Sequence, residues 1–246
     1  MSGVVRLFYE DAYIREFEAR VLRAEVSGSS CKLVLDRTAF YPGGGGQPHD
    51  VGVIRGEGWR VSVERVYEDG GDIVHEGSAM PSGIVPQRGE LVRGSIDWDR
   101  RYKLMRMHTA AHILGYVVKK NFGWDVSFAG GSLGVEESHD DFTARISRSD
   151  LPRLEEEINE VVSRDLEVRI TWMSREEASE YLARFHEGLT ELHEGIERIR
   201  VVEIEGLYAL PCGGTHVRRT GEVGRVRLLK RESKGRGITR IRYAVV

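Results

Sequence analysis

The sequence lacks the features that mark membrane-spanning, secreted and disulfide-stabilised proteins. It has no apolar run near the ~20 residues that a membrane helix needs, and no leader in which a basic segment precedes an apolar one. Its two cysteines, Cys31 and Cys212, are too few for a disulfide framework. We therefore expect a cytoplasmic protein that works in a reducing compartment without a membrane partner.

Acidic residues are scarce at the C-terminal end of the chain. Residues 217–246 contain ten Lys or Arg side chains and two Glu, a net charge of +8, whereas the whole chain has a net charge of −3. A basic end suggests a polyanionic partner such as nucleic acid. A solvated pair of Arg-rich strands is the alternative, and charge alone does not choose between them.

Short segments of alternating polarity, separated by Gly-rich and acidic turns, fill the first part of the 246-residue chain. Regular spacing of short strands favours a small β-barrel or sandwich. We therefore predict an N-terminal β-barrel-like domain over residues 1–95. Its strands are expected near residues 31–36, 51–54, 59–67, 72–75 and 90–96.

A change of pattern at Asp97 marks the start of a second domain, which we predict over residues 96–246. Asp97 can cap a helix that runs to about Asn121, and strands and helices alternate after it. This mixture predicts the α+β class, with the barrel-like domain followed by a two-layer α/β domain. Within the second domain we expect a strand pair at residues 132–135 and 142–146.

Four consecutive glycines lie in the segment of residues 40–50, which we name the glycine loop. Such a run is unfavourable in a helix or strand, because glycine loses more conformational entropy there than other residues do. It allows backbone N–H groups to lie close to a ligand, as in anion-binding nests. The segment is not a nucleotide P-loop, because no Gly-Lys-Ser/Thr follows it. A flexible turn without a ligand is the alternative.

Two pairs of metal-capable side chains lie about a hundred residues apart in the sequence. His108 and His112 have the i, i+4 spacing that places both on one face of the predicted helix. Cys212 and His216 have the same spacing across a Gly-rich turn. Three His and one Cys form a mixed N/S ligand set that suits Zn²⁺, and the fold would have to assemble it. We predict one zinc ion per chain, with hydrogen-bonded core histidines as the alternative.

Three motifs, in this order, resemble those of the editing domain of alanyl-tRNA synthetase and of its free-standing relatives, the AlaX proteins. They are Phe-Tyr-Pro-Gly-Gly-Gly-Gly-Gln-Pro-His-Asp at residues 40–50, His-Thr-Ala-Ala-His at 108–112 and Cys-Gly-Gly-Thr-His at 212–216. The two metal motifs alone would also admit the editing domain of threonyl-tRNA synthetase, whereas the glycine motif favours the alanine branch. With a barrel-like first segment and no long coiled-coil extension, the chain resembles the medium-length AlaX type over nearly its whole length.

This resemblance implies a trans-acting hydrolase, which cuts the ester between a wrong amino acid, typically serine or glycine, and the terminal adenosine of tRNA for alanine. It implies that zinc is bound by the residues that match His108, His112, Cys212 and His216. It also implies that substrate recognition is shaped by the residues that match Gly43, Gly44, Gly45, Gly46 and Gln47.

The chain departs from the synthetase pattern at one place. Where the synthetase editing domain has a Val-Ser-Gln segment, this chain has Val126-Ser127-Phe128. Ser127 is a substrate-binding candidate, while Phe128 takes the place of a pocket-lining glutamine. The preferred amino acid and one water-positioning group are therefore left open.

No Ser-His-Asp arrangement is apparent, so the catalytic candidates are the two threonines inside the metal motifs, Thr109 and Thr215. They could orient water or the metal ligands, although a hydroxyl that bonds its own helix backbone is the alternative. Zinc itself could activate water, polarise the ester carbonyl or position the substrate.

The basic end of the chain fits a tRNA substrate, whose phosphates would bind with salt-sensitive affinity. The residues expected at these phosphates are Lys230, Arg231, Lys234, Arg236 and Arg240. Two other functions compete with this hypothesis: a zinc-stabilised RNA-binding module without catalysis, and a zinc hydrolase of small esters. The oligomeric state stays open between monomer and homodimer.

Overall fold

The computed structural model describes residues 4–246, so the first three residues of the predicted N-terminal domain lie outside it. The chain divides into two compact units, of which the first ends at Lys103 and the second begins at Leu104. Within the described residues, no helix combines the length and the apolar character that a membrane span requires.

The first unit is built around a closed barrel of six antiparallel strands, in the order β2 (Glu16–Ser27), β3 (Ser30–Leu35), β7 (Asp72–Met80), β6 (Trp59–Asp69), β5 (Gly52–Gly56) and β8 (Leu91–Ile96). Side chains alternate between the interior and the solvent, so that Trp59, Val61 and Val63 on β6 are buried while their neighbours are exposed. The predicted barrel-like domain is therefore confirmed. The elements of this unit are β1 (Val5–Arg6), α1 (Leu7–Glu10), β2 (Glu16–Ser27), β3 (Ser30–Leu35), β4 (Arg37–Thr38), β5 (Gly52–Gly56), β6 (Trp59–Asp69), β7 (Asp72–Met80) and β8 (Leu91–Ile96).

The remaining elements mix helices and antiparallel strands, which confirms the α+β class. They are α2 (Trp98–Phe122), β9 (Phe128–Ser132), β10 (Ser138–Phe142), α3 (Leu151–Ser163), β11 (Val168–Ser174), α4 (Arg175–Ala183), β12 (Arg198–Ile204), β13 (Tyr208–Pro211), β14 (Val226–Gly235) and β15 (Ile238–Val245). Three one-turn 3-10 helices lie at Arg148–Asp150, Glu191–His193 and Thr220–Val223.

The strands of the second unit form two sheets. One has four strands in the order β14-β15-β10-β9, and α3 packs against it at β14. The other has three strands in the order β11-β12-β13 and is covered by α4, whose Ala178 and Leu182 pack against Ile199 and Val201 of β12. The two helices bury the apolar faces that each sheet presents.

The predicted strand pair at residues 132–135 and 142–146 is misplaced. The observed strands end where the predicted ones begin, since β9 ends at Ser132 and β10 ends at Phe142. The buried face of β10 carries Ser138 and Asp140 beside Phe142. Because two of these three inward side chains are polar, the strand lacks the alternation of apolar residues on which the prediction relied.

Candidate functional site

The helix α2 positions the first pair of candidate ligands. Asp97 precedes it, and the carboxylate of Asp97 accepts a hydrogen bond from the N–H of Arg100 (3.1 Å), as expected of an N-terminal cap. His108 and His112 lie one turn apart on the helix, are each 6% exposed, and have ring centroids 5.1 Å apart. The helix periodicity therefore directs both imidazoles from one face, as the spacing predicts.

The second pair lies in the turn that follows β13. The N–H of Cys212 donates to the carbonyl of Arg200 on β12 (3.0 Å), which holds the start of the turn against the sheet. Within the turn, the N–H of Gly214 lies 3.4 Å from the sulfur of Cys212. That sulfur lies 3.3 Å from Nε2 of His216, so the turn closes its two candidate ligands onto each other.

The structure brings both pairs together in one cluster. The candidate ligand atoms of His108, His112, Cys212 and His216 all lie within 4.8 Å of one another. The sulfur of Cys212 is 3.4 Å from Nε2 of His108, and the His216 ring centroid is 4.3 Å and 4.4 Å from those of His108 and His112. Such a convergence of nitrogen and sulfur atoms can hold one metal ion.

Burial sets the protonation of the cluster. It lowers the pKa of His108 to about 3, and the positive charge of Arg200 adds to this effect. Burial also holds the pKa of His112 and His216 well below the usual value, so all three rings are neutral, and the unprotonated nitrogen of a neutral imidazole can act as a metal ligand. It raises the pKa of Cys212, and a bound cation would be needed to favour the thiolate there.

Arg200 is a buried residue near the cluster that the sequence reasoning missed. It is 5% exposed, and its Nη1 donates to the carbonyl oxygen of Cys212 at 2.6 Å. The guanidinium thereby fixes the backbone of a candidate ligand. The sequence signal was weak, because Arg200 is one of three charged residues in β12, and a charged residue in a strand is ordinarily expected to face the solvent.

The two catalytic candidates, Thr109 and Thr215, are fully buried, so their hydroxyls contact other groups of the protein. Oγ1 of Thr109 lies 3.1 Å from Nδ1 of His216 and accepts a hydrogen bond from the N–H of Val217 (3.3 Å). If His216 binds a metal through Nε2, its Nδ1 carries the proton and donates to Thr109. Thr215 is also 0% exposed.

The glycine loop is an ordered turn in the first unit. Gly44 and Gln47 exchange two backbone hydrogen bonds of 3.0 Å, and the hydroxyl of Tyr41 donates to the carbonyl of Gly44 (3.1 Å). Gly43 to Gly46 all have positive φ, between 58° and 134°, a region that favours glycine over other residues. Gly44, Gly45 and Gly46 are exposed and Gln47 is buried.

A buried ion pair closes the base of the glycine loop. The carboxylate of Asp50 accepts from the N–H of Tyr41 (2.7 Å) and forms an ion pair with Arg101, and both charged side chains are fully buried. The guanidinium of Arg101 also donates to the carbonyls of Ala12 (2.8 Å) and Ala39 (2.7 Å). This network satisfies the buried charges and fixes where the loop begins and ends.

The segment that departs from the synthetase motif lies just before and within β9. The N–H of Ser127 donates to Oγ1 of Thr143 (2.7 Å), and the side chain of Ser127 is exposed. Phe128 is 59% exposed, and its ring lies in an edge-to-face arrangement with that of Phe142, with the ring centroids 6.3 Å apart. The candidate Ser127 and the neighbouring Phe128 are therefore both accessible to a ligand.

The basic residues on β14 and β15 differ in how far they are already paired. Arg240 makes two hydrogen bonds with Asp141 (2.7 and 2.9 Å), and Lys230 pairs with Glu232 (2.9 Å). Arg231 donates to the carbonyl of Ile146 (2.6 Å). Lys234 and Arg236 are exposed at the turn between the two strands, and among residues 4–246 they take part in no ion pair.

Comparisons with known proteins match both parts of the chain. The family profile described as "Threonyl and Alanyl tRNA synthetase second additional domain" matches residues 199–242, and the profile described as "tRNA synthetases class II (A)" matches residues 9–100. The alanyl-tRNA editing protein AlaX-M of Methanosarcina barkeri is 39% identical over 249 residues, which cover 98% of each chain.

Two further relatives have the same range of similarity. AlaX-M of Saccharolobus solfataricus is 39% identical over 246 residues, covering 97% of this chain and 98% of that protein. The alanine–tRNA ligase of Korarchaeum cryptofilum is 41% identical over 243 residues, which are 97% of this chain but 26% of the ligase. The similarity to the AlaX-M proteins thus extends over nearly the full length of this chain and of each of those relatives. The chain therefore belongs to the AlaX-M family of alanyl-tRNA editing proteins.

Proposed function

We propose that this protein hydrolyses the ester of wrongly charged alanine tRNA, with serine as the main amino acid removed and glycine as a second one. The cluster of His108, His112, Cys212 and His216 carries the proposal, because four ligand atoms within 4.8 Å form a site for a Lewis acid. Membership of a family whose relatives are named alanyl-tRNA editing proteins supplies the substrate class.

The chemistry of the cluster supports zinc as the bound ion, one per chain. Three neutral imidazoles and one cysteine sulfur match the mixed nitrogen and sulfur sets that bind Zn²⁺. Without an ion, three histidines with ring centroids 4.3 to 5.1 Å apart would bury lone pairs against one another, which is unfavourable. When bound, zinc supplies Lewis acidity that activates water or polarises the ester carbonyl.

The protein's own groups orient this site. The Thr109 hydroxyl fixes the ring of His216 through Nδ1, so we assign Thr109 a positioning role. Arg200 fixes the carbonyl of Cys212. Thr215 is buried inside the Cys212–His216 motif, and we propose that it supports the same turn.

The glycine loop is the second proposed part of substrate recognition. Within Gly43 to Gln47, the exposed Gly44, Gly45 and Gly46 let a ligand approach the backbone without a side chain in the way, and the ion pair of Asp50 with Arg101 holds the base of the loop. Ser127 offers an exposed hydroxyl. We further propose that residues 1–95 form the domain that carries the loop and that residues 96–246 form the deacylase domain.

A tRNA partner accounts for the basic strands. Positive side chains on β14 and β15 position phosphates without reading sequence. Lys234 and Arg236 are the best placed, because they are exposed at a turn and outside the ion pairs of the described residues. Lys230, Arg231 and Arg240 would exchange existing partners for phosphate.

The first experiment measures deacylation of serine-charged tRNA for alanine by the wild type and by His108→Ala. We expect the variant to lose its zinc and to fall to the rate of the protein-free ester, because one ligand of the cluster is missing. His193→Ala is the matched control, since His193 lies in a 3-10 helix and bonds Thr190. It is expected to keep wild-type activity.

Circular dichroism and metal analysis decide how the result is interpreted. A folded, zinc-loaded wild type that leaves the serine ester intact would overturn the proposal. Binding of the charged tRNA without turnover would instead favour an RNA-binding module. Hydrolysis of small esters at the same efficiency as charged tRNA would favour a general esterase.

A further inference from the structure

Aromatic rings lie beyond the ligand pair of α2. Tyr116 follows His112 by four residues, so both side chains project from the same face of the helix, separated by a rise of ~6 Å. The ring of Trp124 lies 6.2 Å from that of Tyr116 and stacks on the ring of His186 at 4.7 Å, with 28° between the planes. We name Tyr116, Trp124 and His186 the aromatic platform.

The platform is open to solvent although it consists of large rings. Trp124 is 38% exposed, His186 is exposed and Tyr116 is half-buried. Stacking on His186 holds the Trp124 ring in place, so its exposed part is already arranged for a ligand. A flat ligand that covers this surface would remove apolar area from water at a small cost in side-chain entropy.

The charges around the platform favour a neutral ligand. Lys119, on the last turns of α2, forms an ion pair with Glu187, and the hydroxyl of Tyr208 donates to the same carboxylate at 2.5 Å. Lys120 pairs with Glu157 at 2.9 Å. Because both lysines already have carboxylate partners, the platform offers π-surface more than free positive charge, which suits a base better than a phosphate.

We propose that the aromatic platform stacks the terminal adenine of the aminoacylated tRNA while the ester lies at the four-ligand cluster. This rests on the proposed function, since the substrate defines which base follows the ester. In that substrate one ribose separates the ester from adenine, and one helical turn separates His112 from Tyr116. Stacking on aromatic side chains does not depend on the identity of the base. It can therefore hold the terminal adenine, which is the same in all tRNAs and does not need to be distinguished from other bases.

The test combines variants of the platform with variants of the substrate. Trp124→Ala is expected to raise KM for serine-charged tRNA about tenfold, with a smaller effect on kcat, because a base stacked on one ring is lost. Trp124→Phe should retain most of the activity. Trp172→Ala is the matched control: this tryptophan is 40% exposed on β11, away from the platform residues in the sequence.

A substrate with an abasic terminal nucleotide separates stacking from a structural role. The wild type should lose about tenfold in kcat/KM on this substrate, and Trp124→Ala should lose little more, because both changes remove the same contact. If the loss caused by the abasic substrate and the loss caused by Trp124→Ala multiplied when the two were combined, the contacts would be independent and the proposal would be overturned. So would a Trp124→Ala variant that dissociates a dimer and keeps its dependence on adenine, because the platform would then be covered by a second copy of the chain.

Failure of the proposed function gives a different result. The wild type would then leave serine-charged tRNA with a normal adenosine intact. The platform is still tested in that case by equilibrium binding of uncharged tRNA with adenosine and with abasic ends. Tighter binding of the adenosine end, lost in Trp124→Ala, would support the platform, whereas equal affinities would overturn it.

Discussion

At the scale of single residues, the contact between Thr109 and His216 links a hydroxyl to a proposed metal ligand. Thr109→Val keeps the size of the side chain but removes the acceptor of His216 Nδ1 and of the Val217 N–H. We expect zinc affinity to fall about 10- to 100-fold, as for other changes to the partners of metal-binding histidines. Competition with a chromophoric chelator measures it.

The control for this variant is Thr109→Ser, which keeps the hydroxyl. It is expected to bind zinc nearly as tightly as the wild type. If Thr109→Val also retained wild-type affinity while deacylation fell, Thr109 would act on the substrate and not through His216. A direct catalytic role, which the sequence also allows, would then replace the positioning role.

Asp140 is a buried carboxyl whose ionisation opposes folding. Burial raises its pKa from the ordinary value of 3.8 to about 7, although the hydroxyl of Tyr243 donates to it at 3.0 Å. Between these two pH values the unfolded chain has released the proton and the folded chain retains it. The contribution of Asp140 to the free energy of unfolding is therefore fully present below the unfolded pKa of 3.8 and is lost as the pH rises through the folded pKa of about 7.

Asp140→Asn removes this pH dependence while leaving an oxygen for Tyr243. We expect the variant to gain stability over the wild type as the pH rises, by about 2 to 4 kcal/mol above pH ~7. Urea unfolding at several pH values measures it. Asp141→Asn is the control of opposite sign, because the pKa of Asp141 is lowered by its hydrogen bonds to Arg240. An Asp140→Asn variant without pH-dependent gain would contradict the assignment.

At the scale of elements, sequence reasoning worked where the determinants were local. The cap at Asp97 and the apolar periodicity after it predict a helix to about Asn121, and α2 covers Trp98–Phe122. The barrel followed from short alternating strands such as β6. In both cases the apolar residues recur with the period of the helix or strand that they form, so a short stretch of sequence is enough to predict the element.

Elements and contacts that depend on distant parts of the chain were harder to predict from the sequence. The inner face of β10 contains the polar residues Ser138 and Asp140. A polar side chain can be buried there because distant residues supply its hydrogen bonds, as Tyr243 does for Asp140. The pairing of His108 with Cys212 was suggested by ligand type, but the fold brings these residues together across 104 positions. The contact of Arg200 with the same turn left no local pattern to find.

At the scale of the whole molecule, the net charge of −3 hides a basic end with a net charge of +8. The structure divides these cations into two groups. Arg242 forms ion pairs with Glu137 and Glu232, and Arg240 pairs with Asp141, so part of the basic end is the solvated strand pair that the sequence left as an alternative. Lys234 and Arg236, like Arg225 and Arg227, are exposed and take part in no ion pair among residues 4–246, and the first two lie together at the turn between β14 and β15.

This division predicts how tRNA binding depends on salt. Each phosphate contact adds roughly 0.7 to 0.9 to the slope of log affinity against log salt concentration. Neutralising Lys234 and Arg236 together as Lys234→Gln with Arg236→Gln should therefore weaken tRNA binding and lower the slope by about 1.5. Equilibrium binding between about 50 and 200 mM salt measures this change.

A charge-matched control separates contact from net charge. Arg88→Gln with Arg164→Gln removes two exposed cations outside the basic end and should leave the slope nearly unchanged. Arg240→Gln removes one charge and should lower the slope by less than half as much as the Lys234 and Arg236 double variant, because its guanidinium already bonds Asp141 and must give up that partner to reach a phosphate. Equal slopes for the two double variants would mean that tRNA binding depends on the net charge and not on the turn between β14 and β15.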